Sequence, residues 1–138
     1  MSAPITVSTR VKATVEKAWL YFTDSAHIVK WYHASDDWHA PYAENDLKTG
    51  GSFKTTMAAK DGSASFDFGG LYQDVILNEY IAFTLGDGRK VEVRFREIEP
   101  GVVEVTETFD PESTHSAEMQ EKGWQAILDS FKRYVEKH

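Results

Sequence analysis

From about Ser116 to Glu136 the apolar residues Trp124, Ile127, Leu128, Phe131 and Val135 recur with a helical period, the longest such pattern in the chain. At 1.5 Å per residue, about 20 residues span about 30 Å, enough to cross a whole sheet. Glu118 and Glu121 sit early in this segment, while Lys132, Arg133 and Lys137 sit late, as the helix dipole prefers. Glu118/Lys122 and Asp129/Arg133 add favourably ordered pairs four residues apart. A helix with one apolar stripe must lay that stripe on something, and most of the preceding chain is strand-like.

Ile5, Val7, Thr9 and Val11 alternate with Thr6, Ser8 and Arg10, the period of a half-buried strand. Thr14 then stands as an N-cap, and Val15, Ala18, Trp19 and Phe22 define a short helix from Val15 to Phe22. Asp24 and Ser25 break it and cap a second short helix through Ile28 and Trp31 or Tyr32. His33 to Asn45, with Trp38, Pro41 and Tyr42 among polar residues, is expected to be an irregular edge strand.

After the Gly50-Gly51 turn the chain is a meander. Phe53 to Ala59, Phe66 to Val75, Ile81 to Leu85, Val91 to Arg96 and Val103 to Phe109 are each strand-length and separated by turn residues. One face is apolar, so the final helix is its cover. The expectation is one α+β domain over residues 1–138: a curved antiparallel sheet of about six or seven strands, two short helices after the first strand, and a long C-terminal helix across the sheet.

Acidic residues outnumber basic ones 22 to 15, for a net charge of −7, which argues against nucleic acid or an anionic membrane surface as partner. Cysteine is absent from the sequence, so disulfides, thiolate metal ligands and a cysteine nucleophile are excluded. The first residues lack the basic and apolar regions of a signal peptide, and no apolar run approaches the ~20 residues of a membrane span. A soluble, cytoplasmic protein is expected.

Several segments together resemble a known family. They are Val15-Glu16-Lys17-Ala18-Trp19; Trp31; Asp46 followed by Gly50-Gly51-Ser52-Phe53; and Phe66-Asp67-Phe68-Gly69-Gly70-Leu71-Tyr72. Gly88-Arg89-Lys90-Val91, Thr106-Glu107-Thr108-Phe109 and the run from Glu118 through Gly123-Trp124 to Leu128 complete the set. In this order they resemble the activator of heat-shock protein 90 ATPase homologue-like proteins, within the START-like (SRPBCC, birch-pollen-allergen-like) superfamily. The resemblance implies a helix-grip fold closing an apolar cavity, ligands such as lipids or polyketides, and no shared catalytic residue. The family name also implies a chaperone partner, but the eukaryotic co-chaperone behind that name uses an additional N-terminal domain for its chaperone work, so the resemblance leaves such a partner possible and does not require it.

The aromatic residues are the candidate lining: Trp31, Trp38, Phe53, Phe66, Phe68, Phe83, Phe95, Phe109 and Trp124, together with Leu128. Any one of them could equally be ordinary core. Tyr72, Glu107 and His39 are candidates for orienting polar groups. Glu107 shares a face with Val103, Val105 and Phe109, pointing inward, where burial would raise its pKa; it is the one weak candidate for catalysis, as a general acid or base. Asp67 should point outward unless Gly69-Gly70 makes a bulge. Gly123 inside the long helix costs about 1 kcal/mol relative to alanine; close packing against the sheet is the expected reason, with room for a ligand as the alternative.

His33, Asp36, Asp37 and His39 cluster but match no metal motif; they read as an ordinary solvated loop or else as a polar cluster at a pocket rim, and neither a metal nor any other cofactor is expected. No Gly-x-Ser-x-Gly elbow is present, and Gly86-Asp87-Gly88-Arg89 reads as a hairpin turn. Three functions stay open: binding or carriage of a small hydrophobic molecule, an enzyme of the cyclase or hydrolase kind using Glu107, and a module that modulates a chaperone ATPase. The exposed edge from Trp38 to Tyr42 makes a dimer conceivable but no more, and the oligomeric state stays open.

Overall fold

A computed structural model describes residues 3–138. Strand β1 (Ile5–Lys12) is followed by helices α1 (Val15–Thr23) and α2 (Ser25–Trp31), then strands β2 (Trp38–Asn45), β3 (Ser52–Ala59), β4 (Ser65–Ile76), β5 (Tyr80–Leu85), β6 (Lys90–Glu99) and β7 (Val102–Phe109), and helix α3 (Ala117–Lys137). The seven strands form one curled antiparallel sheet in the order β1-β7-β6-β5-β4-β3-β2. This is the helix-grip architecture expected from the sequence. The first strand pairs with the last, so α1 and α2 must carry the chain across the whole sheet to its opposite edge.

Local chemistry sets the helix ends. Thr14 caps α1 by accepting the Lys17 amide at 3.2 Å. Asp24 works on both sides of the break: its amide donates to the Leu20 carbonyl at the end of α1, and its carboxylate accepts the Ala26 amide at 2.9 Å at the start of α2. Ser116 caps α3 by accepting the Met119 amide at 3.1 Å. Among the described residues, no helix is long and apolar enough to cross a membrane.

The packed core lies under the second half of α3. Val11, Val93, Val103, Val105, Phe131 and Val135 are sealed from solvent, and Phe22, Trp31 and Phe131 meet at ring distances of 4.8 to 5.3 Å. The same helix is tied along β1: Gln125 donates to the Ser8 carbonyl, Lys132 to the Arg10 carbonyl, and the Lys12 amide to Glu136. With its last turns anchored at the β1 edge, α3 presents its first turns to the strands on the other side.

The outward direction of Asp67 follows from unbroken alternation; its carboxylate accepts the Thr56 hydroxyl at 2.7 Å. The register slip falls not at Gly69-Gly70 but between Tyr72 and Asp74, opposite β5. Gly70 serves close approach instead: a Cβ there would run into the Thr84 carbonyl of β5.

Candidate functional site

Away from the packed core, the end of α2, strands β2 to β4 and the first turns of α3 part to enclose a cavity of about 440 Å³. Trp38 and Phe66 meet at 5.8 Å on one wall, and Phe68 and Trp124 meet edge to face at 5.8 Å on another. Met57 and Ile127 fill between them, while His33, Ser35, Arg89, His115, Met119 and Gln120 complete the lining. Phe66 and Met119 expose over half their surface at this opening, an apolar mouth on an acidic protein.

Behind it lies a recess of about 50 Å³ among Phe22, Thr23, Ile28, Phe53, Thr55, Tyr72, Ile81 and Phe83. Tyr32, Phe68, Glu107 and Trp124 line both spaces and so form the waist between them.

Glu107 reaches the waist from β7, where strict alternation sends Val103, Val105, Glu107 and Phe109 inward. It is 8% exposed, stands in register between Val7 and Val93, and forms no hydrogen bond within the protein. Burial pushes its carboxyl up to about 8, so it holds its proton at neutral pH.

Tyr32 is the C-cap of α2, and the non-helical turn there sets its ring between Trp31 and Phe68, at 5.1 and 6.0 Å. Burial, with the nearby Glu107 charge adding to it, raises the Tyr32 phenol far above its ordinary value. Among the described residues no sealed side-chain oxygen or nitrogen is left without a partner, so the Tyr32 hydroxyl and the Glu107 carboxyl, which make no bond within the protein, are open to the cavity. At the rim, His33 lies 3.4 Å from the Ser130 hydroxyl, and burial lowers its pKa against the pull of Asp36.

The expected lining residues separate into three groups. Trp38, Phe66, Phe68, Glu107 and Trp124 line the large cavity; Phe53, Tyr72 and Phe83 line the inner recess. Trp31, Phe95 and Leu128 do neither: they are 1%, 6% and 1% exposed within the packed core, because they face the half of the sheet that α3 covers tightly. Phe109 lies beneath the Trp124 ring and also borders a separate cleft beside Pro4 and Asp110.

The expected polar groups divide in the same way. His39 is exposed and falls on the face of β2 opposite the buried Ala40 and half-buried Trp38, so it does not reach the cavity. Tyr72 is inward, but its hydroxyl donates to Asn45 at 2.5 Å, and Asn45 in turn donates to the Thr23 carbonyl at 2.5 Å. That network fastens β2 to α1 and leaves Tyr72 little capacity for a ligand. Only Glu107 remains free.

Periodicity gives no signal for Tyr32, Arg89, His115, Met119 and Gln120, which sit on helix ends, turns and polar stretches, whereas His33 belongs to the polar cluster open to a pocket-rim reading and does line the cavity. The close-packing account of Gly123 is also overturned: a Cβ there would meet nothing within 4 Å, and the residue borders the cavity. Among the described residues, no group of three or more histidine or acidic side chains is placed to hold a metal ion.

A model of the family described as Activator of Hsp90 ATPase homolog 1-like protein matches residues 12–136. The chain belongs to that family. The solution structure of an AHSA1-like protein from Aeromonas hydrophila is 44% identical, superimposes with a TM-score of 0.87, and is matched over 96% of this chain and 93% of that one. Chr148 from Cytophaga hutchinsonii is 54% identical, with a TM-score of 0.83 over 97% of this chain and 92% of that one. Protein CV1439 from Chromobacterium violaceum reaches a TM-score of 0.86 at 20% identity, over 98% and 99% of the two chains, which shows the shared fold alone. The search of curated proteins returns no match. The AHSA1-like chain thus has the START-like helix-grip fold, a fold that commonly binds hydrophobic ligands.

Proposed function

We propose that this AHSA1-like protein binds and carries a small, mostly apolar molecule in the cavity between its sheet and α3. The observation that carries this reading is the cavity itself: about 440 Å³, aromatic on its walls, with one unpaired buried acid at its waist. That volume lies within the usual range of small-molecule sites, and a few polar groups on an apolar lining are their usual makeup. The helical glycine beside it supports the same reading, since Gly123 forgoes about 1 kcal/mol of helix propensity where a side chain would have met only open space.

The test is direct. Gentle unfolding of freshly purified protein should release an apolar compound detectable by mass spectrometry, and refilling with an apolar naphthalene probe should quench Trp124 fluorescence. A leucine at position 123 should fill the space and abolish both. Failure of every probe to bind, with nothing released, would sink the proposal.

Turnover is the alternative reading, and it rests on the same carboxyl. A Glu107→Gln variant that kept affinity but lost conversion of a polyketide-like substrate would make the protein an enzyme instead.

A further inference from the structure

Glu107 and Tyr32 present a problem that the lining alone does not explain. Buried polar groups in folded proteins nearly always find partners, and one left without any calls for a reason. Among the described residues no sealed side-chain atom is left unpaired, but two polar side chains without a bond in the protein face the cavity from opposite elements, β7 and the end of α2, and both border the same waist. The apolar inward neighbours of Glu107 are Val105 and Phe109, and its cross-strand neighbours Val7 and Val93 are sealed valines that offer nothing to bond. Of the other hydroxyls of the recess, that of Tyr72 is already given to Asn45 and that of Thr23 to the Trp19 carbonyl, while Thr55 lines the recess but not the waist. The unspent capacity therefore converges on the space between Tyr32 and Glu107.

Resting on the binding reading above, we infer that Tyr32 and Glu107 are a pair of neutral hydrogen-bond donors that together receive one carbonyl oxygen of the ligand, whose aromatic or alicyclic body lies against Phe68 and Trp124.

The electrostatics favour that chemistry over its competitors. The groups facing Glu107 are Tyr32 from α2 and Tyr72 from β4, with Arg89 from the β5–β6 turn and His33 and His115 farther out on the cavity wall. Arg89 is already paired with Asp87 at 2.7 Å, and His115 with Glu112 at 3.0 Å. Among the described residues no cation reaches the waist to hold Glu107 ionised, and burial pushes its carboxyl up to about 8. A protonated carboxyl is a donor, as is a phenol.

A carboxylate ligand would carry a full charge into an apolar site that offers it no cation, at a large desolvation cost. An ammonium ligand would first require Glu107 to ionise. A neutral carbonyl satisfies both hydroxyls and moves no charge. A carboxylic acid kept neutral beside a tyrosine is a known way to hold such an oxygen.

Three probes of one shape decide the matter: acetylnaphthalene, which adds a carbonyl; ethylnaphthalene, which has no polar group; and naphthylethylamine, which carries an ammonium. Affinities are measured on the full chain by tryptophan quenching and calorimetry, and the carbonyl stretch of the bound ketone is read by infrared difference spectroscopy. The ketone should bind at least about ten-fold tighter than the hydrocarbon, since two net hydrogen bonds are at stake. Its carbonyl band should shift to lower frequency on binding.

Tyr32→Phe and Glu107→Leu should each lower the preference for the ketone over the hydrocarbon about five-fold, or more. Glu107→Gln, which still donates, should retain most of the preference. Wild-type ketone affinity should fall as pH rises through about 8, when Glu107 loses its proton, and Glu107→Gln should remove that dependence.

If ethylnaphthalene binds as tightly as the ketone, or the carbonyl band does not move, the donor pair is refuted while the cavity reading stands. Tighter binding of the amine also overturns it and assigns Glu107 the role of counter-ion. If no probe binds, both readings fall. The wild-type comparisons need no variant, so poor folding of Glu107→Leu would not shield the inference.

Discussion

The indole of Trp124 lies flat on the ring of Phe109, with centroids 3.8 Å apart and planes 8° from parallel. Phe109 is two residues beyond Glu107 on the same face of β7, so this stack sets the height of α3 above the strand that carries the buried acid. The Gly123 backbone and the Trp124 edge toward Phe68 are held at the cavity by the same contact.

Removing the indole should therefore loosen the first turns of α3 before its last ones. Trp124→Ala is expected to lower unfolding free energy by about 2 kcal/mol or more, through lost burial and lost stacking. Phe109→Leu, which keeps an apolar side chain, should cost about 1 kcal/mol. Urea titrations of the two single variants and the double variant will measure the coupling; strictly additive costs would show that the stack contributes nothing of its own.

Gly123 offers a separation of stability from binding. Gly123→Ala should stabilise the protein by about 1 kcal/mol, raising Tm by a few degrees, because the new methyl meets no atom within 4 Å. Gly123→Leu should be at least as stable as the native chain but should lose probe binding. A drop in Tm for the alanine variant, seen by calorimetry, would mean that the helix does pack closely there.

Glu107 should leave a pH signature on stability. Its folded carboxyl titrates at about 8, above the ordinary value of 4.5, so between those limits the folded protein holds a proton that the unfolded chain has released. Unfolding free energy must then fall as pH rises across that interval, by at most about 1.4 kcal/mol per pH unit, and level off above it. The lowered pKa of His33 acts the other way, removing stability as pH falls through the imidazole range. The difference between wild type and Glu107→Gln isolates the acid, and equal slopes for the two in urea titrations from pH 5 to 8 would contradict its burial.

The rim depends on one amide. Gln120 is buried, accepts the Glu112 amide at 2.8 Å, and donates to the carbonyls of Glu112 and His115 at 3.0 and 2.9 Å. Gln120→Leu would strand those three backbone groups, at a cost of about 1–3 kcal/mol. Hydrogen exchange should quicken across residues 110–116 while the β6–β7 pairing stays protected; unchanged exchange would deny Gln120 this role.

Much of this was written locally in the chain. Alternation placed Glu107 inward and Asp67 outward, because successive side chains of a strand must point to opposite faces. Thr14, Asp24 and Ser116 marked helix starts because their oxygens satisfy amides that a helix leaves free. The period of Trp124, Ile127, Leu128, Phe131 and Val135 required a long helix with one apolar stripe.

What periodicity states is a face, not a depth. Trp31, Phe95 and Leu128 point inward as surely as Phe68 does, yet they are core, because α3 lies tight against the sheet at one end and stands off at the other. That tilt comes from tertiary bonds, Gln125 to Ser8, Lys132 to Arg10 and Trp124 on Phe109, between residues far apart in the chain. The same holds for the polar groups. Tyr72 was spent on Asn45 from another strand, while Tyr32, at a helix end with no pattern to mark it, was left free beside Glu107. Local pattern in the chain dictates which elements form and which way their side chains point; where the layers separate is a property of the packed molecule, since that distance is set by contacts no local period records.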